Sequence, residues 1–201
     1  MAGQERKEAI IRAAVDLFSQ RGFRGTTTRE LAAAVGVSEP VLYQHFETKR
    51  DLYTAIIDHK FQTSEAEFQK LFSDAACAND DRAFFVVLAN AIIRWFNEDP
   101  AYIRLLLYSA LEGHEIATLC NERHAVHVHS HIANYLRGRI EKGAVREDLD
   151  PLAVARSFMC TIVQYAQSGV LHFYPKDVPP QKYVETAVDV FIRGIAKPEE
   201  K

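Results

Sequence analysis

At 201 residues the chain is long enough to bury a substantial core, in one large or two small domains. Its composition is that of an ordinary globular protein, and three widely spaced cysteines (Cys77, Cys120, Cys160) with no CxxC exclude a disulfide framework and point to reduced thiols in a cytoplasm. The formal charge of −3 is uneven, because the first 50 residues hold eight Lys or Arg against six Asp or Glu and the remainder sixteen against twenty-one.

In chain order the sequence predicts an all-α protein, since no stretch alternates with a period of two and Gly and Pro are few. The first helix buries Ile10, Ala14, Leu17 and Phe18 and stops at Gly22. Two short helices follow, then a longer one from Asp51 to about Phe72 with Leu52, Ile56, Phe61 and Phe68 turned inward. Further helices are expected at about Arg82 to Asn97 and Pro100 to Leu111. Others follow at Leu119 to Lys142, Asp150-Pro151 to about His172, and Gln181 to Ile195. The longest mainly apolar run, Ala83 to Ile93, is broken by Asn90 and too short to span a bilayer. No apolar secretory core opens the chain, so a soluble protein is expected.

The most informative stretch is residues 26–50, TTTRELAAAVGVSEPVLYQHFETKR. Thr27 and Glu30 have the spacing of a capping box, in which a hydroxyl and a carboxylate satisfy amides at a helix start. Leu31, Ala32 and Val35 recur on one face, and Ala32 is small enough for a second helix to cross closely. Gly36 can end that helix at positive φ, Ser38 is placed to cap the next, and Pro40 falls in its first turn, where a missing amide proton costs nothing. Leu42 and Phe46 then point inward, leaving Glu39, Pro40, Val41, Tyr43, Gln44 and His45 outside or at the helix ends. That is a helix-turn-helix, and its outer face is shaped to meet a major groove.

With the preceding KEAIIRAAVDLFSQRGF and the following KRDLYTAIID, this stretch resembles the tetracycline-repressor (TetR) family of bacterial regulators over about residues 7 to 58. The pattern of Phe18, Gly22, Thr27, Gly36-Val37-Ser38, Leu42-Tyr43, His45-Phe46 and Lys49 carries the likeness; Val35 and Pro40 depart from the commonest residues. The resemblance implies a DNA-binding head at residues 1–50 and an effector-binding and dimerisation body at 51–201, with double-stranded operator DNA as partner and no cofactor. It implies that Thr27, Ser38, Tyr43 and Lys49, assisted by His45 and helix N-terminal amides, hold phosphates. Arg29, Glu39, Pro40, Val41 and Gln44 are then the candidates for base edges. Glu39 has two readings, as an acceptor for cytosine N4 or as a solvated carboxylate that repels phosphate. The last two helices carry more apolar surface than one protomer easily buries, with Leu152, Ala155, Phe158, Ile162 and Ala166 facing Val184, Val188, Phe191 and Ile195. A homodimer through a four-helix bundle is expected.

The resemblance also implies a small-molecule cavity among the middle helices, and the sequence offers lining for an apolar or aromatic effector. The candidates are Phe61, Trp95, Tyr102, Tyr108, Phe158 and Tyr165, with His127 and His131 as polar anchors. His124, His127 and His131 share a helix face, so a metal-responsive regulator is the alternative. Catalysis finds no support, since GxSxG, a P-loop and GxGxxG are absent and Thr118 stands where HExxH needs its second histidine.

Overall fold

The computed structural model describes residues 3–60, 80–113, 118, 125–173 and 177–198, and among these all regular structure is helical. The elements are α1 (Gly3–Arg21), α2 (Thr28–Val35), α3 (Glu39–His45), α4 (49–60), α5 (Asp81–Glu98), α6 (Pro100–Leu111), α7 (Val126–Glu141), α8 (Pro151–Leu171) and α9 (Pro180–Ile195). The expected helix from Leu119 is described only from Val126, and the later part of the expected Asp51 helix, with Phe61 and Phe68, lies outside the described residues.

Contacts divide the chain into two units: residues 1–65 with 99–122, and residues 66–98 with 123–201. In the first, α1 packs on α6 and on α2, and α2 on α3. Ile10, Ala14 and Phe18 of α1 are fully buried, as is Tyr53 of α4, whose ring meets Phe18 edge-on at 4.8 Å. The Tyr53 hydroxyl donates to the Leu105 carbonyl at 3.1 Å, so α4 and α6 are joined by a buried hydrogen bond. Asp99 caps α6 by accepting the Tyr102 amide at 3.0 Å and also pairs with Lys60 at 3.0 Å.

In the second unit, α8 lies against α5 and α7, and α9 lies against α5. Phe85, Phe158 and Phe191 interlock there at centroid distances of 4.7 to 5.0 Å. The expected facing of the last two helices is therefore loose. Their buried stripes are taken mainly by α5 and α7, while α8 and α9 meet through Phe158 and Phe191 and line a groove of about 320 Å³. Asp150 caps α8 through the Ala153 amide at 2.6 Å, and a bridge between Val145 and Ala196 ties the turn after α7 to the end of α9.

Candidate nucleic-acid interface

The capping box forms as its spacing requires. The Thr27 hydroxyl accepts the Glu30 amide at 3.2 Å, while the Glu30 carboxylate accepts the Thr27 amide and hydroxyl, each at 2.8 Å. These bonds, the backbone one foremost, hold the Glu30 carboxyl below its ordinary range, aided by Arg21 at 2.6 Å. Gly36 turns the chain at φ 71°, and the Val37 amide closes the turn on the Ala32 carbonyl at 2.9 Å. Leu42 and Phe46 are buried beneath α3, and Ser38 stands at its N-cap, although its side chain makes no capping bond.

This packing fixes what faces outward. Thr27, Arg29, Ser38, Pro40 and Gln44 are exposed, Tyr43 is 45% exposed, and Glu39, Val41 and His45 are half-buried at the margins of the same helix. The residues expected to read bases are therefore exposed or half-buried, on α3 and at the start of α2.

Two of the candidates are held more tightly than the motif suggests. The Lys49 ammonium donates to the Phe23 carbonyl and lies 4.1 Å from the centre of the Phe23 ring. Burial lowers its pKa from the ordinary lysine value, with Glu112 and Glu30 opposing that shift. Glu39 accepts a hydrogen bond from the Thr28 hydroxyl at 2.9 Å, and the Tyr43 hydroxyl approaches the same oxygen of Thr28 at 3.5 Å. Thr28 is the residue the motif reading passed over. It adjoins the capping threonine, and only the crossing of α2 and α3 brings it to Glu39.

The turn leading into this surface is fastened from a distance. Glu112, at the end of α6, accepts the Phe23 amide at 3.1 Å and the Arg24 amide at 3.3 Å. Gly22 permits this approach, because a Cβ there would come within 2.4 Å of the carboxylate.

The expected effector residues are distributed among several environments. Tyr165 lines a cleft of about 540 Å³ between the ends of α5 and α8, the 177–180 loop and the start of α9. There its ring stacks on Tyr183 at 3.8 Å, and its hydroxyl donates to the Val178 carbonyl at 2.9 Å. Asn97, Gln164 and Ser168 add polar groups to the same cleft. Phe158 borders the neighbouring groove, Trp95 packs edge-on against Phe96, and Tyr102 and Tyr108 belong to the first unit. His127 and His131 are exposed on α7, His124 lies outside the described residues, and no metal-binding group of three side chains occurs among the described residues.

Comparison with known proteins bears on the head first. Residues 10–56 match the family model for bacterial regulatory proteins of the tetR family. Over 52 residues the chain is 46% identical to the class C tetracycline repressor protein of Escherichia coli, a match covering 26% of this chain and 24% of that one. Residues 10–56 are a TetR-family helix-turn-helix domain. The chain is also 24% identical over 168 residues to the nucleoid occlusion factor SlmA of Marinobacter nauticus, covering 84% of this chain and 83% of the relative. Its fold matches a TetR-family regulator from Mesorhizobium loti with a TM-score of 0.74, at 15% identity, over 98% of this chain and all of the other. The family match lies in the head, and it defines a helix-turn-helix DNA-binding domain of a transcriptional regulator. Among the described residues no helix is long and apolar enough to cross a membrane.

Proposed function

We propose that this TetR-family protein is a cytoplasmic, homodimeric repressor that binds a palindromic DNA operator through residues 1–50 and is released by a small apolar or aromatic effector bound in the 51–201 body. The observation that carries the reading is the outward face of α3, which stands clear of the head's core while Leu42 and Phe46 anchor it from beneath. Backbone-directed groups set the register and the α3 side chains read bases. A repressor is named among the relatives, and that role is carried over to this chain as part of the proposal.

Two features support the dimer. The groove between α8 and α9 is lined by apolar and hydroxyl side chains, and Val190 on its rim is 68% exposed. A second copy of the hairpin would bury both and complete a four-helix bundle. Such a two-fold arrangement spaces the recognition helices by about 34–36 Å or a larger separation.

For the effector, the cleft beside Tyr165 and Tyr183 offers an aromatic wall with amide and hydroxyl groups at its edge. Release requires the effector to favour the form unsuited to DNA, and a switch from 1:99 to 99:1 needs about 5.5 kcal/mol of differential affinity. The test pairs selection of duplexes from a randomised pool with a thermal-shift screen of small molecules. An enriched palindrome, together with a compound that raises the melting temperature and loosens that complex, supports the reading. A strictly monomeric protein that enriches no duplex at low salt overturns the DNA-binding reading, and compounds that stabilise the protein yet never loosen the complex overturn the effector coupling.

A further inference from the structure

Building on the DNA-binding reading, we infer that Glu39 is the residue that reads a cytosine in each half-site, and that Thr28 is the positioning residue that holds its carboxylate ready. The helix-turn-helix pattern leaves Glu39 either as a reader or as a solvated charge that repels phosphate. The contact across the two helices separates these alternatives.

Glu39 stands in the first turn of α3, and Thr28 is the first residue of α2. The Thr28 hydroxyl has one proton, and it is given to Glu39 Oε2 at 2.9 Å. Its lone pairs remain for the Tyr43 hydroxyl, one turn further along α3, at 3.5 Å. The three side chains thus form a directed chain, from Tyr43 through Thr28 to Glu39, that spans both helices of the motif. A carboxylate whose only task was to stay solvated would have no use for a donor from the neighbouring helix. One oxygen is tethered, so the carboxylate is held in place and fewer rotamers must be given up when DNA arrives.

The chemistry then selects the base. A carboxylate only accepts, so guanine O6 and N7 and thymine O4 repel it. Adenine offers an N6 donor but places the N7 acceptor beside it, against the carboxylate's second oxygen. Cytosine N4 has an acceptor on one side only, the O6 of its paired guanine, and a C5–H on the other, whereas adenine N6 lies between its own N7 and thymine O4. Cytosine is therefore the base that offers Glu39 a donor with the fewest opposing acceptors.

The experiment is selection of full-length protein on a randomised duplex pool, with sequencing of the bound fraction, for the parent chain and for Glu39→Gln, Thr28→Val and Thr28→Ser. The parent is expected to fix a cytosine at one position of each half-site, with discrimination of roughly 5- to 150-fold over other bases. Glu39→Gln keeps the acceptor for Thr28 and adds a donor, so that position should change to adenine. Thr28→Val should retain the rest of the site but flatten the cytosine preference, and Thr28→Ser should restore it. Identical enriched sequences for the parent and Glu39→Gln would overturn the inference while leaving the DNA-binding reading intact, whereas no enriched sequence for the parent overturns both. A cytosine preference untouched by Thr28→Val would remove the positioning role.

Discussion

Replacing Gly22 by alanine places a Cβ within 2.4 Å of Glu112 Oε1 on a residue whose φ is 70°. Two costs follow. The left-handed backbone costs an L-residue about 1–2 kcal/mol. Displacing the carboxylate forfeits charge-assisted bonds from the Phe23 and Arg24 amides, and because Glu112 is only half-buried the lower end of the usual range, about 1–2 kcal/mol, applies. The total of about 2–4 kcal/mol should lower the melting temperature by roughly 4–16 °C for a chain of this size. Equilibrium denaturation of Gly22→Ala, Glu112→Ala and the double variant separates the two costs. With the carboxylate gone the clash disappears, so Gly22→Ala should then cost only the backbone strain, and the two substitutions should be non-additive by about 1–2 kcal/mol. Equal costs for Gly22→Ala in both backgrounds would refute the fastening of the α1–α2 turn by Glu112.

Other substitutions probe the remaining assignments. If Lys49 leaves Phe23 to meet a phosphate, Lys49→Gln should make the log–log salt slope of operator binding shallower by about 0.9 per half-site, measured by fluorescence anisotropy. An unchanged slope would make it a strut of the head alone. Gly169 borders the cleft, its backbone is free of positive φ, and a Cβ there meets nothing within 4 Å. Gly169→Leu should therefore block effector response while leaving operator affinity within about two-fold and the fold intact; a full response in this variant would place the effector elsewhere. Burial, and then the nearby Arg156, lower the pKa of His129 from the ordinary value of 6.5. The unfolded chain thus takes up a proton more readily than the folded one, and the stabilising contribution, complete above about pH 6.5, is lost as pH falls through the lower folded value. Thermal melts from pH 7.5 to 5 should fall less steeply for His129→Gln than for the parent, and parallel curves would contradict the burial argument.

Much of the head was legible because its determinants are local. The Thr27–Glu30 capping box, the positive φ of Gly36 and the tolerance for Pro40 in a first turn are rules of a few consecutive residues, and each appears in the structure. Asp99 and Asp150, each followed by a proline, cap their helices by rules equally local. What escaped the sequence depends on distant pairing. Nothing near Glu112 announces that it will reach two amides almost ninety residues earlier, and nothing near Thr28 announces Glu39. Apolar periodicity shows that α8 and α9 each have a face to bury but not that α5 and α7 take most of it. Aromatic residues are ambiguous in the same way, since Tyr102 in a packed head and Tyr165 in an open cleft have similar helical spacing.

The hold of Glu112 and Tyr53 on either side of the head has a consequence for dissecting the molecule. The segment that meets DNA is shorter than the segment that keeps itself folded, because α1 and α4 rest on α6 and residues 23 and 24 depend on its final turn. A fragment ending at residue 60 would strip the cover from Phe18 and Tyr53 and strand a phenol and two amides in search of water. Grafts that exchange recognition surfaces between relatives should therefore carry α6 along with the helices that precede it.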